Sequence, residues 1–150
     1  MRTAEARGTV PLAPAAALEL WLDTERWPTF VEGFGRVTEP DPGWPSPGAR
    51  LAWESIPGGR GRVTERIVAR DAGRVVTQVF EDALTGTQTV RVQEAPGGSA
   101  IAVELEYTLA RGGPFSGLAD MIFIRRALRD ALRRTLRRFA VEAEEEAGLR

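Results

Sequence analysis

Ile101-Ala102-Val103-Glu104-Leu105-Glu106-Tyr107-Thr108-Leu109 alternates without a break: Ile101, Val103, Leu105, Tyr107 and Leu109 share one parity, and Ala102, Glu104, Glu106 and Thr108 share the other. Successive side chains of an extended chain point to opposite faces, so this is a strand in a sheet with one dry and one wet face. Shortly after it the period changes. From Pro114 to Leu149 apolar residues recur at helical spacing, with Leu128, Ala131, Leu132, Thr135, Leu136 and Phe139 in one stripe and Leu118, Met121, Ile122 and Ile124 extending it upstream. Arg126, Arg129, Arg133, Arg134, Arg137 and Arg138 take the remaining faces. Gly112-Gly113-Pro114 separates sheet from helix and is a candidate hinge.

Upstream of this strand the chain reads as a meander. Pro57-Gly58-Gly59, Asp71-Ala72-Gly73, Leu84-Thr85-Gly86 and Ala95-Pro96-Gly97-Gly98 are turn signals about 12 residues apart, the interval of short antiparallel strands. Between Arg62 and Arg70 the odd positions Val63, Glu65, Ile67 and Ala69 are expected to face inward, opposite Arg62, Thr64, Arg66 and Arg70. Arg74 to Glu81 is apolar on both parities. Its register depends on whether the preceding turn uses two or three loop residues.

Before the meander lie a weak strand, Thr3 to Leu12, and then Pro14 leading a short helix in which Leu18, Trp21 and Leu22 recur at helical spacing. A second helical turn is expected over Trp27–Phe34, stopped by Gly33 or Gly35. The two form a V-shaped bracket. Four prolines and two glycines within Pro40–Gly48 make a surface turn. The expected architecture is therefore α+β: strand, two short helices, about six strands, one long helix.

Composition removes whole classes of chemistry. The 150 residues suffice for one domain that buries most of its apolar surface. There is no cysteine and no histidine, hence no disulfide, no thiolate nucleophile, no Cys or His metal ligand and no imidazole base. Lysine is absent too, which excludes Schiff-base catalysis and, with the missing asparagine, points to a GC-rich, bacterial coding sequence. Neither metal nor other cofactor is expected. A net charge of −1 gives no reason to expect nucleic acid, and the terminal arginines share their helix with Asp130, Glu142, Glu144, Glu145 and Glu146, as solvated faces do. The first residues lack the apolar core of a signal peptide, and no run is long enough to span a membrane, so a cytoplasmic protein is expected.

In this order the segments resemble the START-like, Bet v 1-like (SRPBCC) superfamily, and within it the bacterial polyketide cyclase/dehydrase and lipid-transport group. The resemblance spans nearly the whole chain. It rests on Leu12-Ala13-Pro14 leading through Trp21 and Asp23, on Trp27-Pro28-Thr29-Phe30-Val31, and on Pro47-Gly48 opening a strand. It continues in Gly97-Gly98-Ser99-Ala100-Ile101 and Ile124-Arg125-Arg126-Ala127-Leu128. Gly98-Ser99 departs conservatively from the Gly-Thr common in the family. The resemblance implies a helix-grip fold, a curved antiparallel sheet of about seven strands wrapped around the C-terminal helix, with a cavity for a lipid, polyketide, quinone or similar hydrophobic molecule. Some members close aromatic rings, and fold alone does not select among these activities.

On that fold the cavity wall is expected to draw on the bracket and adjoining sheet (Trp27, Phe30, Phe34, Trp53) and on inward strand positions (Glu65 and Ile67, Gln88 and Val90, Val103, Leu105 and Tyr107). The start of the terminal helix would add Leu118, Met121, Ile122 and Arg125. Glu65 is the pointed anomaly, an acid among Val63, Ile67 and Ala69. It reads as a ligand hydrogen-bonder or general acid, or more plainly as a strand-end residue or an arginine's partner. The Tyr107 hydroxyl meets either a structural partner or a ligand, Gln88 either the cavity or solvent, and Arg125 either clamps an anion or snorkels to the surface. Binding or transport of a hydrophobic molecule, by a monomer or homodimer, is the leading expectation. An aromatase/cyclase would have only Glu65, Tyr107 and Arg125 to work with, and a protein-interaction module would show an exposed apolar patch.

Overall fold

The computed structural model describes residues 2–110 and 117–150, without the side chains of 118 and 119. The elements run β1 (Arg2–Val10), α1 (Pro14–Leu22), α2 (Trp27–Phe30), β2 (Phe34–Glu39), β3 (Arg50–Ser55), β4 (Arg62–Asp71), β5 (Arg74–Phe80), β6 (Leu84–Ala95), β7 (Gly98–Leu109) and α3 (Leu118–Gly148). Seven antiparallel strands form one curled sheet in the order β1-β7-β6-β5-β4-β3-β2. Consecutive strands pair as hairpins, and the first closes on the last.

β7 anchors this arrangement because it pairs along its length with both β1 and β6. Its odd residues Ile101, Val103, Leu105 and Tyr107 are buried, as their alternation requires. Gly98 opens the strand where a side chain has no room: a Cβ there would come within 2.1 Å of the Val10 carbonyl oxygen. Next to it the Ser99 hydroxyl donates to the Leu12 carbonyl at 2.6 Å, so the Gly98-Ser99 pair sews the start of β7 to the end of β1.

The open register of β5 resolves to a two-residue loop, with Asp71 opposite Arg74. Val75, Thr77 and Val79 consequently face inward. One extra residue sits in β4 between Ile67 and Ala69, and Val68 is exposed there. Two expectations are corrected. Leu84-Thr85-Gly86 is not a turn but the start of β6; the chain turns one step earlier, at 81–83, because Leu84 is buried opposite Leu109 and belongs to the sheet. The second helical turn ends at Phe30, and Phe34 begins β2, with Gly33 at φ 70° making the reversal.

Pro40–Gly48 is irregular, as its prolines demand, yet it is pinned. The Trp44 indole donates to the Leu22 carbonyl at 2.9 Å and that of Trp27 to the Trp21 carbonyl at 2.8 Å. Both carbonyls belong to the last turn of α1, whose C-terminal oxygens lack helical partners.

α3 lies across the concave face of the sheet. Phe139, with no solvent exposure, meets Trp21 and Phe30 at ring-centroid distances of 5.2 and 5.0 Å, both edge to face. Further up the helix Ile124, Leu128 and Leu132, spaced four apart, pack on Ala4, Leu84, Leu105 and Tyr107. Ile122 and Phe123 lie on the other sides of the helix and remain 51% and 65% exposed. The apolar stripe therefore does not extend inward to Ile122. Ion pairs tie α3 to the bracket: Arg26 with Glu142 and Glu146, and Glu32 with Arg134 and Arg138. The Gly112-Gly113-Pro114 break and the side chain of Leu118 lie outside the described residues.

Candidate functional site

Where the sheet curls away from α3, packing leaves a cavity of about 310 Å³. Its floor is the sheet. Trp53 of β3, Glu65 of β4, Val79 of β5, Gln88 of β6 and Leu105 of β7 all present inward positions to it. Leu128, Ala131, Leu132 and Thr135 roof it, all on one face of α3, and Trp21 and Trp27 close one side. The rim comprises Val31-Glu32-Gly33 and the exposed hairpin tip 56–60.

Polar groups in this wall divide into two sets. Those at the rim are occupied. Arg60 pairs with Glu81 at 2.5 Å and lies 5.2 Å over the Trp53 ring, Glu32 pairs with Arg134 and Arg138, and the Thr135 hydroxyl accepts the Glu32 backbone N–H at 3.0 Å. On the floor stand Glu65 and Gln88. The Trp53 indole donates to Glu65 Oε2 at 2.6 Å, and among the described residues no cation touches that carboxyl. Removal from bulk water pushes Glu65 above the usual carboxylate range; the Trp53 hydrogen bond and the charge of Arg60 pull it down, and Glu81 pushes it up. Chemically this is an apolar pocket with one carboxyl and one amide at its base, a pattern that orients a mostly apolar ligand by a few polar contacts.

The family model for polyketide cyclase / dehydrase and lipid transport proteins matches residues 1–144. The chain belongs to this family. Among curated proteins none matches it by sequence. Among solved structures, the chain is similar to TTHA0849 of Thermus thermophilus, at 16% identity and TM-score 0.78, covering 97% of this chain and 99% of that one. It is also similar to the di-domain ARO/CYC StfQ from the steffimycin biosynthetic pathway, at 17% identity and TM-score 0.76, covering 97% of this chain and 51% of StfQ. The Bet v 1-like protein Ara h 8.0201 aligns at 17% identity and TM-score 0.68, over 96% and 98% of the two chains. At such identities the likeness is one of fold, and the fold is the helix grip.

Within this family member, the residues singled out by sequence fall into distinct places. Trp27, Trp53, Glu65, Gln88 and Leu105 come together around the cavity. Phe30 is instead buried against Trp21 and Phe139, and Phe34 is packed between Trp27 and Trp53 at 5.8 and 5.2 Å. Ile67, Val90 and Val103 are inward but sit where sheet and helices meet closely, and they fill core. Met121 accepts from Arg2 at its sulfur, 3.1 Å away, on the β1 side of α3.

Tyr107 and Arg125 do not join Glu65. Tyr107 is buried with Ala4, Leu84 and Leu105, its hydroxyl without a partner among the described residues. Burial pushes that hydroxyl up in pKa, while Arg2 and Arg125 pull it down. Arg125 is exposed, since the helical turn that carries Ile124 inward turns its neighbour out. Sequence reasoning passed over the rim hairpin, because glycines and a proline signal only a turn. It did read Leu128, Ala131, Leu132 and Thr135 as one helical face, though not as a roof. No helix of the described residues is long and apolar enough to cross a membrane.

Proposed function

We propose that this protein binds a small hydrophobic molecule in the cavity between sheet and α3, for transport or sequestration. The observation that carries the reading is the cavity itself, about 310 Å³ walled by tryptophans and aliphatic side chains in a family whose members are described as cyclases, dehydrases and lipid transporters. A well-packed interior leaves few voids larger than a water molecule, so a hollow of this size is built by the shapes around it. A cyclase would find Glu65 as the sole titratable group on the floor among the described residues, with neither Tyr107 nor Arg125 beside it, and the binding reading is therefore preferred.

Native mass spectrometry of protein purified from its own host tests this. A one-to-one adduct with the mass of a small organic molecule, released on denaturation, is the expected result. A spectrum of bare protein under conditions that preserve such adducts in a control complex contradicts it.

A further inference from the structure

Volume and wall chemistry together restrict what the cavity accepts, an inference that rests on its being a ligand site. An apolar cavity of about 150 Å³ takes one benzene ring. At about 310 Å³ this one has room for two fused rings.

The polar end of such a guest meets the floor, because every charged group at the rim is already engaged: Arg60 by Glu81, and Glu32 by Arg134 and Arg138. Among the described residues no cation touches the floor carboxyl. Glu65 has the indole N–H of Trp53 on one oxygen and the apolar Val79 directly opposite it on β5. Removal from water with no cation in direct contact favours the protonated form of such a carboxyl. Its carbonyl oxygen then accepts from Trp53, which leaves the O–H to donate.

We propose that Glu65 meets the ligand as a neutral carboxyl that donates its proton in a hydrogen bond to a carbonyl or similar acceptor, so that the site selects uncharged molecules of one or two rings and rejects carboxylates. An incoming carboxylate loses its hydration and, with the rim Arg60 already held by Glu81, meets no unpaired arginine among the described lining residues to replace it. A ketone gives up less water and gains the Glu65 hydrogen bond.

Calorimetric titration of the full chain with tetralin, α-tetralone and α-naphthoate reads this directly, with E65L and E65Q as the variants. Wild type is expected to bind α-tetralone roughly tenfold tighter than either other compound, the ratio one charge-free hydrogen bond supports. E65L should bind tetralone and tetralin alike, and E65Q, which keeps an N–H donor, should retain the preference. If naphthoate binds wild type as tightly as tetralone, or E65L keeps the preference, the role of Glu65 is overturned while the cavity stands as a binding site. If none of the three binds, the cavity reading itself fails, and the inference with it.

Discussion

The Trp53 indole N–H lies 2.6 Å from Glu65 Oε2, across the β3–β4 pair and one diagonal step from the Leu51–Glu65 register. Diagonal neighbours on one sheet face are within reach of an aromatic side chain. The contact supplies the one direct hydrogen bond that the floor carboxyl receives from the described residues, and it favours the ionised form.

Replacing that donor tests the relationship. In W53F a smaller aromatic ring remains but the N–H is lost, so the Glu65 carboxyl should titrate at a higher pH than in wild type, followed by carbon NMR of the labelled carboxyl. Stability should fall by at least about 1 kcal/mol, because a buried acceptor loses its partner. An unchanged titration would show that Trp53 does not govern this group.

Stability should depend on pH through Glu65. Its folded-state pKa is raised above the ordinary 4.5, so between those values the folded protein holds more protons than the unfolded chain. Stability contributed by the neutral form is therefore full below pH 4.5 and is lost as pH rises through the folded pKa, at no more than about 1.4 kcal/mol per pH unit. Arg60, Glu81 and the rim Glu32 are the charged groups nearest this region, and they are unchanged in E65Q. Urea melts of E65Q should lack the decline that wild type shows on the alkaline side of 4.5; parallel curves would contradict the assignment.

Phe139→Ala should cost about 3–5 kcal/mol in urea unfolding, since it empties the space between Trp21 and Phe30. Phe123→Ala, on the same helix but 65% exposed, should stay within about 0.5 kcal/mol. Equal effects would mean that α3 faces the sheet differently.

The attachment of the rim to α3 separates a buried acceptor from surface charge. Thr135→Val leaves the Glu32 backbone N–H without its acceptor and should cost about 1–3 kcal/mol. Glu32→Gln removes ion pairs with Arg134 and Arg138, whose side chains are 43% and 51% exposed, and should cost about 1 kcal/mol or less. Thermal or urea unfolding orders the two, and the reverse order would contradict the assignment.

The sequence foretold β7 and α3 because each buries a single face, and burial writes a period into residue order: 101–109 at two, 128–139 at 3.6. Glu65 stood out for the same reason, as an acid on a dry parity. Where both faces are apolar, as in Arg74–Phe80, the period vanishes and only the turn sets the register. Inwardness alone did not distinguish floor from core. Val103 and Leu105 share a parity, yet one fills core and the other lines the hollow, because the separation of sheet and helix changes along β7. Nor does residue order announce the Trp27 and Trp44 indoles that cap α1, contacts made 6 and 22 residues away.

The occupancy of the cavity is most directly tested by following the indole N–H resonances of Trp53 and Trp27 while α-tetralone is added to wild type and to Ala131→Trp, whose new side chain fills the space under the roof. Saturable shifts at both indoles in wild type, absent in the filled variant although it stays folded, are the expected result. Shifts of the same size and midpoint in both proteins, or confined to residues around Phe123, would place the ligand elsewhere and contradict the account.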